Sequence, residues 1–166
     1  MSEAIAAADW AERARSLKEE GWFLADLTGL DRMGPTWDRE VWGDMPDGRF
    51  HVVCQFLHHE RKERVTIHVV PEGDPPSAPS IVDLWSTANF MERETYDMFG
   101  VHFDGHPNLT RILMPEEWEG HPLRKDYGVG KVAIEFLPQP YVQIDSSGQS
   151  PKPDEAGATV DRLGQS

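Results

Sequence analysis

Hydrophobic residues follow two different spacings along this chain. In residues 50–57, Phe50, Val52, Cys54 and Phe56 alternate with other positions and so share one face. Val65, Ile67 and Val69 do the same in residues 65–70, and the charged stretch HHERKER joins the two runs. The pair predicts an antiparallel hairpin with one buried side. Residues 3–20 lack Gly and Pro, are rich in Ala, Glu, Lys and Arg, and place Ile5, Trp10, Ala14 and Leu17 at near-helical spacing before Gly21. They predict an amphipathic helix, followed by a first strand over residues 22–30. The Gly/Pro/Asp-rich stretch DRMGPTWDREVWGDMPDG then reads as an irregular loop or loose hairpin.

Prolines in PEGDPPSAPS end the hairpin. Ser80, with Asp83 three residues on, fits a helix N-cap ahead of residues 81–99, and Gly100 supplies a stop. Two similar turns come next, Gly105-His106-Pro107 and Gly120-His121-Pro122, each leading to basic residues. Residues 132–137 predict a last strand, and from residue 145 the chain is polar and rich in Pro, Gly and Ser, the composition of a disordered tail. The expected class is α+β: a mainly antiparallel or mixed sheet with helices packed on it, one domain over residues 1–144, and an extended segment over 145–166.

Composition narrows the function. Among 166 residues, 16 Lys and Arg face 29 Asp and Glu, a formal net charge of −13, and phosphate recognition needs the opposite balance. No apolar run approaches the ~20 residues of a membrane span. The start, MSEAIAAADW, has no basic region, which predicts neither a signal nor a transit peptide and a cytoplasmic location. One cysteine, Cys54, inside an apolar run, cannot supply a disulfide, a CxxC pair or a four-cysteine iron–sulfur site; it reads as a small buried hydrophobe.

Candidate chemistry is sparse. His58-His59-Glu60 and His102, Asp104 and His106 lack the spacing of a zinc site. The stretch Gly128-Val129-Gly130-Lys131 lacks the outer glycine and hydroxyl of a phosphate loop, and no nucleophile elbow is present. The acids of MERETYDMFG remain. At about 100° per residue, Leu84, Trp85, Ala88, Thr95, Tyr96 and Phe99 form an arc of roughly 120°, with Glu92 in its middle. Arg93 and Asp97, four apart, share the other side and can pair, with Glu94 nearer to them. A carboxylate on a buried stripe must be satisfied, and Arg111, Arg124 and Lys125 are the bases placed to meet Glu92. The competing reading is an enzyme using Glu92, Glu94 and Asp97 with His102 and His106, but acids at these spacings point in different directions.

The motifs Glu92-Arg93-Glu94 with Asp97, Phe103-Asp104-Gly105-His106-Pro107, Arg111-Ile112-Leu113-Met114-Pro115 and Pro122-Leu123-Arg124-Lys125-Asp126-Tyr127 resemble the signature of the 30 kDa subunit of respiratory complex I. In bacteria this is the C subunit of the NADH-quinone oxidoreductase. The likeness covers residues 79–127. It implies an intersubunit surface formed by these residues, and no catalytic, cofactor or metal residue in this chain. It also implies packing against the 49 kDa-type subunit near the small iron–sulfur subunit, on the cytoplasmic side of the bacterial plasma membrane, with FMN and clusters held by partners. Related domains resemble parts of membrane-bound hydrogenases and deazaflavin-dependent quinone reductases. Three positions depart from the family pattern, Thr110, Gly128 and Ser86, and the last leaves open whether residues 80–99 form one helix or two.

Overall fold

The computed structural model describes residues 2–33 and 47–128. The expected connection over residues 34–46, the strand over 132–137 and the tail lie outside them. The hairpin forms as its alternation predicts. Strand β3 (Phe50–His58) pairs antiparallel with β4 (Glu63–Val70), and the register places Val52 opposite Val69, Cys54 opposite Ile67 and Phe56 opposite Val65, all buried. Strand β2 (Phe23–Asp31) adds antiparallel to β3. Leu24 and Leu27 are three apart, so strict alternation would send them to opposite faces. A bulge between Leu24 and Asp26 shifts the register by one, and both pair with core residues, Phe56 and Cys54.

The N-terminus corrects the expectation of one helix from residue 3. Residues Ser2–Ala6 form strand β1, parallel to β4, and helix α1 runs only over Ala7–Glu19. Ala6 holds an extended conformation and no side chain caps the helix start. Helix propensity is a weak preference, and here the unpaired edge of β4 offers five residues a hydrogen-bonded ladder instead. Ile5 thus packs on the core from a strand, while Trp10, Ala14 and Leu17 do so from the helix, as their spacing predicts. The helix stops at Gly21, whose φ is +86°, with the Trp22 N–H donating back to the Leu17 carbonyl at 3.0 Å.

The resulting sheet is mixed, in the order β1-β4-β3-β2. Both helices lie on one face of it. Trp10 of α1 packs on Phe56, and helix α2 (Ala88–Phe99) sets Phe99 over Gly29, the register partner of Val52. Short strands β5 (Ser77–Pro79) and β6 (His102–Asp104) pair in parallel on either side of α2 in the chain and bury Ala78 and Phe103. The other face of the hairpin is not simply polar, as one buried side would have it. His51 and His68 are buried there with ring centroids 5.9 Å apart, and burial, with the Arg32 charge second, lowers the His51 pKa to about 4.

The predicted helix over residues 81–99 is also shortened. Residues 82–84 and 86–87 are turns and the helix begins at Ala88, so Ser80 does not cap it. The segment folds back instead, burying Ile81 and Trp85, whose indole N–H donates to the Trp22 carbonyl at 3.2 Å.

Close contact at Gly29 sets how α2 lies on the sheet, because any Cβ there would run into the Phe99 ring. Replacing Gly29 with Val is therefore expected to destabilise the chain by about 1–3 kcal/mol in urea unfolding. Adding Phe99→Ala should recover part of that loss; two losses that simply add would show that the helix does not rest there.

Candidate functional site

Helix α2 carries two fully buried carboxylates, Glu92 and Asp97, on different sides. Glu92 faces the folded-back segment before the helix. The Ser80 hydroxyl donates to one of its oxygens at 2.6 Å and the Ile81 N–H to the other at 2.8 Å. Burial raises its pKa to about 7, and these two hydrogen bonds only partly oppose the rise. Glu92 is buried as its angle on the helix predicts, but Arg111, Arg124 and Lys125 are not its partners.

Asp97 holds the segment after the helix. The N–H groups of Ile112, Leu113 and Met114 converge on Oδ2 at 3.0, 2.8 and 2.9 Å, and Arg111 donates to Oδ1 at 2.6 Å. Burial pushes this carboxyl up as well, yet the three amides and the guanidinium outweigh it and hold the pKa below the ordinary carboxylate range. The expected Arg93–Asp97 pair does not form. Arg93 reaches the same stretch from one turn earlier and donates to the Thr110 and Arg111 carbonyls at 3.2 and 3.1 Å. Arg93 thus takes carbonyls where Asp97 takes amides. Glu94 is exposed.

A helix ends with unpaired carbonyls, and the chain after α2 satisfies them in turn. The Asp97 carbonyl accepts from His121 Nδ1 at 3.0 Å and that of Met98 from the Leu123 N–H at 3.0 Å. The Phe99 and Gly100 carbonyls accept from Arg124 at 2.5 and 3.3 Å. Two guanidiniums, Arg111 and Arg124, therefore sit at the negative end of the helix dipole. Gly100 turns the chain with φ +72°, and a side chain there would strike Arg124 and His121.

The two Gly-His-Pro turns fasten opposite ends of α2. After Gly105, whose φ is +86°, His106 accepts the Asn108 N–H at Nδ1 and donates from Nε2 to the Asn89 carbonyl at 3.2 Å, ahead of exposed Pro107. His121, before half-buried Pro122, fastens the last turn. A third buried carboxylate, Asp31, lies outside the candidates that the sequence offers. It accepts from Arg49 at 3.1 and 3.0 Å and from the Lys125 N–H at 2.9 Å, and Arg49 also pairs with Asp126 at 2.7 Å. Lys125 acts through its backbone, not its charge. Arg49 and Arg124 also flank the Phe50 ring at 4.6 and 4.9 Å. Neither Asp31 nor Ser80 lies in a hydrophobic pattern that would mark it in advance.

These positions do not converge on a common point as acid–base chemistry requires. His58 contacts the Glu20 carbonyl at 3.0 Å, and His102 lies 3.9 Å from Asp104. Among the described residues, no group of three or more His, Cys, Asp or Glu could hold a metal ion. The arrangement is a joint: a helix whose buried acids and terminal carbonyls fix the chain on both sides of it.

Comparison with known proteins agrees with this α+β module. A solved fragment, residues 1–134, of Nqo5 has a TM-score of 0.53 at 34% identity, covering 64% of this chain and 80% of that one. A chain in the membrane-bound sulfane sulfur reductase, an archaeal respiratory membrane complex, gives a TM-score of 0.59 at 22% identity, covering 76% and 71%, a likeness of fold alone. The family model for the respiratory-chain NADH dehydrogenase 30 kDa subunit matches residues 4–132, and the chain belongs to that family. The NADH-quinone oxidoreductase C subunit of Herpetosiphon aurantiacus is 49% identical over 115 residues, 69% of this chain and 60% of that protein. Subunit 5 from Thermus thermophilus is 43% identical over 126 residues, 72% of this chain and 57% of that protein. The chain thus spans less than two thirds of the length of these relatives.

The two carboxylates should respond oppositely to pH. The folded-state pKa of Glu92, about 7, lies above the ordinary 4.5, so its contribution to stability is full below pH 4.5 and is lost as pH rises through 7. Glu92→Gln should therefore gain on the parent by up to about 3 kcal/mol between pH 5 and pH 8, while Glu92→Ala should destabilise at both. Urea melts at the two pH values check this, and an unchanged difference between parent and Gln variant would refute it. Asp97→Asn leaves buried N–H groups facing an amide, and hydrogen exchange at Ile112, Leu113 and Met114 should accelerate by about tenfold or more.

Proposed function

We propose that this chain is a subunit of the peripheral arm of a proton-translocating NADH-quinone oxidoreductase. In this reading it packs against a 49 kDa-type subunit beside the small iron–sulfur subunit, on the cytoplasmic side of the bacterial plasma membrane. Electrons pass from NADH to quinone through FMN and iron–sulfur clusters in the partners. This chain contributes structure and holds none of those groups. The observation that carries the reading is the family match over residues 4–132. The signature positions Glu92, Arg93, Asp97, Arg111 and Arg124, expected at an intersubunit surface, are instead engaged within the chain, with Glu92 and Asp97 fully buried, and this supports only the structural part of the reading. Buried Cys54 agrees, its thiol pushed up by burial first and by the Glu92 charge second. Among the described residues no helix is long and apolar enough to cross a membrane.

A second reading is the equivalent subunit of another respiratory membrane complex, such as a membrane-bound hydrogenase or a deazaflavin-dependent quinone reductase. The fold likeness to a chain of the sulfane sulfur reductase complex favours it. Affinity purification of the tagged full chain from mildly solubilised membranes of its host separates the two. Recovery of a 49 kDa-type subunit, cluster-bearing subunits and NADH-dependent quinone reduction is expected. The same partners without an NADH-oxidising flavoprotein would support the second reading, and recovery of the chain alone would sink both.

A further inference from the structure

Antiparallel hairpins commonly turn one face to water, yet the outer face of β3 and β4 carries two buried histidines. His51 is wholly buried and His68 is 6% exposed. Their rings meet edge to face, 5.9 Å apart, and the Nδ1 atom of each is buried without a hydrogen-bond partner among the described residues. Arg32 Nη1 lies 3.2 Å from His51 Nε2. A guanidinium can only donate, so Nε2 accepts and His51 is neutral, with its proton on Nδ1. A second proton on that ring would set two N–H groups against each other and bring two cations into contact.

Among the described residues nothing beside the pair offsets such a charge. Strand β1 contributes Ala4, the register partner of His68; β2 contributes Leu30, the partner of His51; and β3 contributes Val53 across from His68. The nearest acids are turned elsewhere, Glu3 to Arg13 and Asp31 to Arg49 and the Met33 and Lys125 amides. Burial first, then the Arg32 and His68 charges, lowers the His51 pKa to about 4, with only the Gly48 backbone acting the other way. Burial and Arg32 lower that of His68 as well.

The cluster sits where β2 and β3 close. Beyond their last register pair, Asp31 with Phe50, the Arg32 N–H donates to the Arg49 carbonyl at 2.8 Å. Arg49 in turn holds Asp31 at 3.0 Å and Asp126 at 2.7 Å, and Asp31 accepts from the Lys125 N–H at 2.9 Å. Repulsion between Arg32 and His51 thus bears directly on the tie between the sheet and residues 125–126.

We infer that His51, His68 and Arg32 form a proton-sensitive clasp, in which proton uptake by the histidine pair parts Arg32 from β3 and loosens the hold of Asp31 and Arg49 on residues 125–126. Once open, His51 regains the ordinary pKa of 6.5, against about 4 when closed. The open form therefore binds more protons and gains as pH falls from 6.5 towards 4. Glu92 acts with the opposite sign, since its contribution to stability grows on acidification.

Amide exchange in the full chain, corrected for the intrinsic rate at each pH, reads the clasp locally. Protection of the Arg32 and Lys125 amides is expected to fall by about tenfold or more from pH 7 to pH 5, while that of Ile67, inside the sheet, does not. His51→Gln with His68→Gln should keep both amides equally protected across this range. Arg32→Gln, a milder change that removes the charge, should shrink the fall and move the titration of the His51 ring, followed by NMR, towards the ordinary value. An undiminished protection in the parent, a fall shared by Ile67, a fall that persists in both variants, or a His51 ring that titrates near its ordinary pKa in the folded parent would each overturn the clasp.

Discussion

A carboxylate taken wholly out of water must be given hydrogen bonds, and Asp97 imposes that demand at the end of a helix. The chain from residue 110 to residue 124 is arranged around it. Three successive amides and Arg111 satisfy the side chain, and His121, Leu123 and Arg124 satisfy the carbonyls beside it. Little regular structure is described beyond β6, yet the segment keeps a definite path because its polar groups already have partners on α2. Breaking one bond in such a set exposes the others to an unsatisfied buried group, so the segment and the end of the helix should hold or loosen together.

Glu92 sits five residues earlier and meets the opposite environment. Among the described residues it has two hydrogen-bond donors and no cationic partner, and burial prevails. Asp97 has four donors, one of them charged, and the donors prevail. The two acids therefore do different mechanical work. Glu92 ties the segment before α2 to the helix by bonds that survive its protonation, while Asp97 ties the segment after it by charge. Around them, the Asp31–Arg49–Asp126 group links the far end of that second segment to the sheet.

Much of the fold was legible from spacing. Alternation located β3 and β4 and their shared face, and the Trp10, Ala14 and Leu17 stripe located the packed side of α1, because both periods come from backbone geometry alone. The burial of Glu92 was legible for the same reason. Partners were less so. Pairing Arg93 with Asp97 was reasonable for an isolated helix, but a weak pairing four residues apart gives way when each group can reach a buried backbone. The parallel strand Ser2–Ala6 and the shortened helix were hidden likewise, since each depends on an edge or an acid supplied from a distant part of the chain.

The sequence by itself determined the α+β class, the hairpin, the inward angle of Glu92, the stop at Gly100 and the family signature, because each is carried by residues close together along the chain. Tertiary structure decided which donors meet which acids: Ser80 rather than an arginine for Glu92, backbone amides for Asp97, the Lys125 amide for Asp31. Side-chain spacing specifies direction from an element. It does not specify what waits there, and for a buried charge the outcome depends on which donors the rest of the chain brings within about 3 Å.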